Sequence, residues 1–274
     1  MPSAGRLGGQ PQGTASGARG ASNPRNGAAT IRIVLPSYNE EGGLGLLLAA
    51  IRDTMESSRQ RYEVVVVNDG STDGTAEVAQ EAACRMPVRL VHLPCNQGLA
   101  CALENGLLAA LQESATDDIL VTMDADNTHS PALIPQMVDL IQQGHDVVLA
   151  SRFPQGAQLV GVPPLRRAIG WLGAAALGIL FPIPGVREYT CAYRAYRAGV
   201  LRKAFATFGE DFISESGFTC MVDVILKLRG QSLSMAEVPL VLRYDRKVGP
   251  SKMRVAHTAV QTLWLAARRR LGWT

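Results

Sequence analysis

Asp118-Ile-Leu-Val-Thr-Met-Asp-Ala-Asp-Asn-Thr-His129 decides how this chain is to be read. The run from Asp118 to Met123 is short and apolar and breaks at once into polar turn residues, the pattern of a buried strand in a parallel sheet. At its end stand Asp124 and Asp126, separated by one alanine. Ligands of open α/β sheets bind at the carboxyl ends of strands. The two carboxylates are therefore expected in a site, although Asp also ends strands for its turn chemistry alone. Hard cations such as Mg²⁺ or Mn²⁺ take oxygen ligands and are commonly held by one or two carboxylates, with substrate phosphates completing the shell. Asp124 and Asp126 are the candidate ligands.

Working outward, Ile31-Arg-Ile-Val-Leu-Pro-Ser-Tyr-Asn-Glu-Glu41 reads as a strand breaking into a polar loop. Glu63-Val-Val-Val-Val-Asn-Asp-Gly-Ser-Thr-Asp-Gly-Thr75 reads as another, ending in an acidic, glycine-rich turn on the same sheet edge. Strand-like runs at 31–35, 62–67, 88–93, 118–123 and 146–150 alternate with helical patterns near 42–57, 73–85, 98–113 and 131–143. This order predicts an α/β fold with a mostly parallel sheet flanked by helices and right-handed crossovers. The alternation stops after Arg152.

Pro36-Ser-Tyr-Asn-Glu-Glu41, Asn68-Asp-Gly-Ser-Thr-Asp-Gly-Thr75, Asn96-Gln-Gly-Leu99 and Asp124-Ala-Asp126 resemble the successive signatures of family 2 glycosyltransferases. Ser151-Arg152, Glu188-Tyr-Thr-Cys-Ala-Tyr-Arg194 and Arg246-Lys-Val-Gly-Pro-Ser-Lys252 resemble the dolichyl-phosphate (polyprenyl-phosphate) mannosyltransferase branch, over roughly residues 30 to 270. The resemblance implies the nucleotide-sugar-binding, Rossmann-like GT-A fold, with acceptor-side and interfacial helices toward the C-terminus. It implies a donor such as GDP-mannose or UDP-hexose, a polyprenyl phosphate acceptor, and Mg²⁺ or Mn²⁺. Asp126 and Asp124 would serve the metal, with Thr128 where relatives carry a further Gln ligand. Pro36, Tyr38, Glu40, Asp69 and Asp124 match donor-contacting positions. Turn capping is the alternative for Asp69, and the preferred one for Asp73. Arg152 matches an arginine that meets phosphate charge, which its planar fork suits. Arg166, Arg167, Arg246, Ser251 and Lys252 match the acceptor-phosphate region.

A lipid phosphate is already anionic near neutral pH and needs no general base; a sugar hydroxyl does. Gly209-Glu-Asp211 offers carboxylates for a hydroxyl acceptor, but Gln261-Thr-Leu-Trp-Leu265 lacks the Gln-x-x-Arg-Trp motif of relatives that act on hydroxyls. The lipid phosphate is favoured. A catalytically idle nucleotide-sugar-binding protein is the reading from another class, prompted by Glu188 and Thr128 where relatives often have Asp and Gln.

With 274 residues, 47% of them hydrophobic, the chain can bury a large core, and a disordered protein is excluded. A net charge of +3 gives no argument for nucleic acid. From Arg243 onward, however, eight Lys or Arg face one acid, Asp245, which suits anionic ligands or an anionic membrane surface. Five cysteines without a C-x-x-C pair suggest neither zinc nor a disulfide framework, and they fit a reducing compartment. Cys84 and Cys101 read as small core residues.

Residues 1–29 lack an apolar stretch and are expected to be a disordered tail, without a secretory signal. The expected glycosyltransferase domain then spans 30–242, with an interfacial helix region over 166–186, and 243–274 forms a basic acceptor loop and an amphipathic helix. Ala168 to Val186 carries no charge. Pro182 and Pro184 end its helix near Phe181, leaving about 21 Å, too short to span a bilayer. With Arg166-Arg167 and Trp171, and with Arg268-Arg-Arg270 on the last helix, it is expected to lie on the inner face of the cytoplasmic membrane as a peripheral element. Core packing is the alternative for both helices.

Overall fold

The computed structural model describes residues 29–249 and 255–271. Five apolar segments become strands β1 (Ile31–Ser37), β2 (Tyr62–Asp69), β3 (Val88–Leu93), β4 (Ile119–Thr122) and β5 (Val147–Ser151). Between them lie α1 (Glu41–Ser58), α2 (Thr75–Ala83), α3 (Leu99–Gln112) and α4 (Ile134–Gln142), the last entered through a 3-10 turn at Pro131–Leu133. β1, β2, β3 and β4 pair in parallel, with Ile31 beside both Tyr62 and Ile119. Side chains alternate across the strands. Ile33, Leu35, Val64, Val66 and Val121 pack toward α1 and α4, whereas Val34, Val65, Val67 and Leu120 pack toward α3 and the helices of the second half. Both faces are covered, which is why these strands read as unbroken apolar runs.

The second half adds β6 (Gln158–Val160), α5 (Pro164–Leu180), β7 (Arg194–Arg197), α6 (Ala198–Phe208), α7 (Thr219–Arg229), β8 (Met235–Pro239), β9 (Val241–Arg243) and α8 (Val255–Arg270). The sheet order is β3-β2-β1-β4-β7-β5-β8. β7 runs antiparallel to both β4 and β5 and fills the gap between them. β6 and β9 form a separate two-stranded parallel sheet.

At the edge where the parallel strands begin, a buried cluster ties β1 to β2 and β4. Arg32 donates to Asp118 Oδ2 at 2.7 Å and to Glu63 at 3.1 Å, and the Thr30 amide donates to Asp118 Oδ1 at 2.9 Å. The opposite edge carries the site.

α5 stops where its sequence says it must, with Phe181 at its C-cap ahead of Pro182. Among the described residues no helix is long and apolar enough to cross a membrane. The cysteine expectation needs correction. Cys84 is exposed and Cys101 half-buried; the buried thiols are Cys191 and Cys220. An apolar helical stretch does not reveal which of its faces is covered.

Candidate active site

The loops after β1 and β2 are laced together by side chains that their turn-rich sequence supplies. Asn39, with its backbone in the left-handed region at φ 50°, accepts from the Thr72 amide at 2.8 Å, and the Glu40 amide donates to Thr75 Oγ1 at 2.8 Å. Asp73 accepts from the amides of Glu41 and Thr75, the structural role preferred for it. Asp69 takes the Gln97 and Gly98 amides on its two oxygens, at 2.7 and 2.9 Å. Each oxygen keeps a second lone pair, so Asp69 holds the 96–98 loop in place and still faces the cavity described below. The loop comes this close because residue 70 is glycine. Gly70 has φ 63°, and a Cβ there would stand 2.4 Å from the Cys95 carbonyl carbon.

Asp124 and Asp126 follow β4. Asn127 adopts φ 61°, a conformation Asn tolerates better than most residues, and this bends the chain so that Asp126 Oδ1 receives the Thr128 amide at 3.1 Å and its hydroxyl at 2.6 Å. Asp126 Oδ2 pairs with the Lys247 ammonium. Burial opposes the Asp126 charge, but the bonds from Lys247 and Thr128 outweigh it and hold this carboxyl below its usual range. Asp124 shifts the other way. Burial raises it, partly offset by His129, and the charge of Asp126 adds to the rise. His129 is buried, stacked on Tyr193 at 5.2 Å between centroids, and accepts the Asp124 amide at 3.4 Å. It orders the loop.

Arg152 leaves the end of β5 and is gripped by Glu188, with Nε to Oε2 at 2.7 Å, while Nη2 reaches Thr190 Oγ1 at 3.0 Å. Glu188 is fully buried, and its Oε1 also accepts from the amides of Thr190 and Cys191. The neighbouring Cys191 thiol is pushed by burial up to about 12, so it stays protonated.

These groups open on one cavity of about 920 Å³. Pro36, Tyr38, Glu40, Asp69, Asp124, Asp126, Thr128, Arg152, Arg166 and Arg167 all line it. Arg166 donates to the Tyr244 hydroxyl at 2.8 Å and lies over its ring. The lining also takes in Leu172, Ala176 and Leu180 of α5, and from α8 Leu263 and Ala266 together with His257, Thr258, Gln261 and Thr262.

Other expectations are corrected. Arg246 is exposed and absent from the lining; its neighbour Lys247 enters instead, a choice that a basic run cannot reveal. Thr128, by contrast, stays in the lining and gives its hydroxyl to Asp126 Oδ1. Glu210 and Asp211 are exposed and outside the lining. Arg268 and Arg269 do not simply face a membrane, since they pair with Glu215 and Asp223. Ser251 and Lys252 lie outside the described residues, as does the tail through residue 28.

Among the described residues no group of three or more His, Cys, Asp or Glu could hold a metal on its own. Two carboxylates at the strand end nevertheless fit a divalent cation whose shell a substrate diphosphate completes.

A mostly parallel α/β sheet with paired carboxylates at a strand end, opening on a cavity, is the arrangement of a GT-A-like glycosyltransferase. The profile of glycosyl transferase family 2 matches residues 32–205, and the chain belongs to that family. The undecaprenyl-phosphate mannosyltransferase of Micrococcus luteus is 31% identical over 250 residues, covering 87% of this chain and 98% of that protein. The dolichol-phosphate mannosyltransferase of Pyrococcus furiosus is 30% identical over 224 residues, covering 82% of this chain and 59% of that longer protein. The structure of glucosyl-3-phosphoglycerate synthase from Mycobacterium tuberculosis with Mn²⁺, UDP and phosphoglyceric acid superposes with a TM-score of 0.63 at 20% identity, covering 90% of this chain and 80% of that one.

Proposed function

We propose that this glycosyltransferase moves a hexose, mannose by the names of its relatives, from a nucleoside diphosphate sugar to a polyprenyl phosphate at a membrane surface. One observation carries the acceptor. The cavity is lined by the carboxylates, by Arg152, Arg166 and Arg167, and by mostly apolar side chains of α5 beside the mixed wall of α8. An anionic head joined to an apolar chain matches a lining that combines arginines with a largely apolar surface. A sugar hydroxyl would need a base, and Glu210 and Asp211 stand outside the cavity.

In this reading Pro36, Tyr38, Glu40 and Asp69 receive the nucleoside, and residues 30–242 form the transferase domain with 243–274 as its acceptor side. Asp124 and Asp126 would hold Mg²⁺ or Mn²⁺, which when bound offsets the charge that develops on the leaving diphosphate. Arg152 and Arg166 orient the acceptor phosphate. Its oxygen attacks the anomeric carbon from the face opposite the diphosphate, a carbon–oxygen bond forms with inversion, and the diphosphate leaves with the electron pair. No proton need be removed, because the phosphate monoester is already ionised.

Exposed side chains support a peripheral placement on a membrane, which this reading puts at the inner face. Leu165, Leu172 and Ile179 of α5 are 71, 72 and 81% exposed, beside Leu263 and Trp264 of α8, an apolar patch of the kind that marks interaction surfaces. The test crosses radiolabelled GDP-mannose and UDP-hexoses with a polyprenyl phosphate, the matching free prenol and a simple glycoside. Label in the prenyl phosphate alone supports the proposal. Label in the glycoside overturns it.

A further inference from the structure

Asp126 is already neutralised from within the chain. Lys247 pairs with its Oδ2, and the two side chains are only 11 and 14% exposed. The pair is tethered from both sides. The Arg243 amide of β9 donates to the Thr128 carbonyl at 2.9 Å, Leu242 bridges His129, and the Lys247 amide closes the turn Tyr244–Arg246 on the Tyr244 carbonyl at 3.3 Å. The strand that leads to Lys247 is thus stitched to the loop that carries Asp126. An exposed lysine would sample many partners, but a shielded and tethered one keeps its place.

We propose that Lys247 is the resident cation of the metal site and makes divalent-metal binding depend on the nucleoside diphosphate. This rests on the assignment of Asp124 and Asp126 to the metal. With Lys247 in place the two carboxylates keep a single net negative charge. A divalent cation arriving alone meets an ammonium already on one of its ligands and must expel it against charge repulsion. When a diphosphate arrives as well, the ammonium gains anionic oxygens to turn to, and the metal gains the oxygens that complete its shell. Lysine suits the exchange, being a compact charge on a flexible stem.

Mn²⁺ binding to the full chain, followed by electron paramagnetic resonance of the free ion, tests this with and without GDP or UDP. The parent is expected to bind Mn²⁺ weakly alone and at least tenfold tighter with one of the diphosphates. Lys247→Met, and separately Lys247→Gln, should tighten Mn²⁺ alone by at least tenfold and shrink the gain from the diphosphate. Arg246→Met removes the same charge one residue away, outside the cavity, and should leave the affinity for Mn²⁺ unchanged. If the Lys247 variants bind Mn²⁺ alone no better than the parent, or Arg246→Met tightens it equally, the role of Lys247 is overturned. If no chain binds Mn²⁺ even with diphosphate, the metal assignment itself falls, and Lys247 loses this role with it.

Discussion

Arg152 and Glu188 meet at two points, Nε to Oε2 at 2.7 Å and Nη2 to Oε1 at 3.3 Å, with the carboxylate wholly buried and the guanidinium at the cavity wall. Glu188→Gln keeps the size and removes the charge that aims this arginine. Since small misplacements of a charged group cost about a hundredfold in rate, kcat/KM should fall by about that factor while the chain still folds. Steady-state kinetics beside a thermal melt would check it; unchanged kcat/KM would remove Glu188 from any positioning role.

Gly170 guards the same arginine from the other side, because a Cβ there would lie 2.7 Å from Arg152 Nη1. Gly170→Ala should therefore lower activity by displacing Arg152, even though alanine favours a helix over glycine by about 1 kcal/mol. A melting temperature at or above the parent's together with reduced turnover is the expected pair of results. Parental turnover would show that the guanidinium yields without consequence.

Asp126→Asn preserves shape but removes the charge assigned to the metal and to Lys247. Loss of a group that stabilises a charged transition state typically costs about a hundredfold or more, and activity at limiting Mn²⁺ should drop by at least that. Activity within about threefold of the parent is incompatible with a metal held at Asp126, given what such ions contribute.

Asp118 gives the fold a dependence on acid. Burial works against its charge, but the amides of Thr30 and Ala115 and the Arg32 guanidinium hold its pKa below the usual range. The folded chain therefore binds fewer protons than the unfolded one. The stabilisation is complete above the unfolded value of about 3.9 and disappears as pH falls through the lower folded value. Asp118→Asn should cost about 2 kcal/mol near neutral pH and flatten the loss of stability on acidification. Urea melts from pH 7 to pH 3 that change in parallel for both chains would contradict this.

Arg268 and Arg269 fasten α8 through Glu215 and the buried Asp223, which also receives Lys227. Replacing both with Ser should cost about 2 kcal/mol and impair transfer even to a short, water-soluble prenyl phosphate. Vesicle binding should instead respond to Leu172→Ser with Ile179→Ser, whose side chains are the exposed ones. Loss of vesicle binding with full transfer in the arginine variant would return that basic end to the membrane.

The strands that carry the donor side are legible because both of their faces are buried, so Ile33 to Leu35 and Val64 to Val67 can be nothing but apolar. The paired carboxylates are legible because they end such a run. β7 is hidden because Arg194 opens it, a buried arginine that donates through Nε and Nη2 to the Cys191 and Tyr189 carbonyls and leaves Nη1 without a partner. No alternation can announce that. β6 and β9, three residues each, are too short for any period to register. The choice of Lys247 over Arg246 is made by the path of a tight turn, where neighbouring side chains point apart without a repeating pattern.

The position of β7 also dictates an order of assembly. β4 and β5 do not pair with each other; each pairs with β7, which leaves the ribosome after both of them and after the whole of α5. The carboxylates on one side of that gap and Arg152 on the other are therefore joined only through α4 until a later segment slides between them, and a nascent chain ending before residue 194 lacks the strand that pairs with both. Such late, non-local closure is slow in folding. Pulse-labelled hydrogen exchange during refolding should find the amides that β5 shares with β7 protected together, after those joining β1 to β2, so that competence for transfer arrives in one late step.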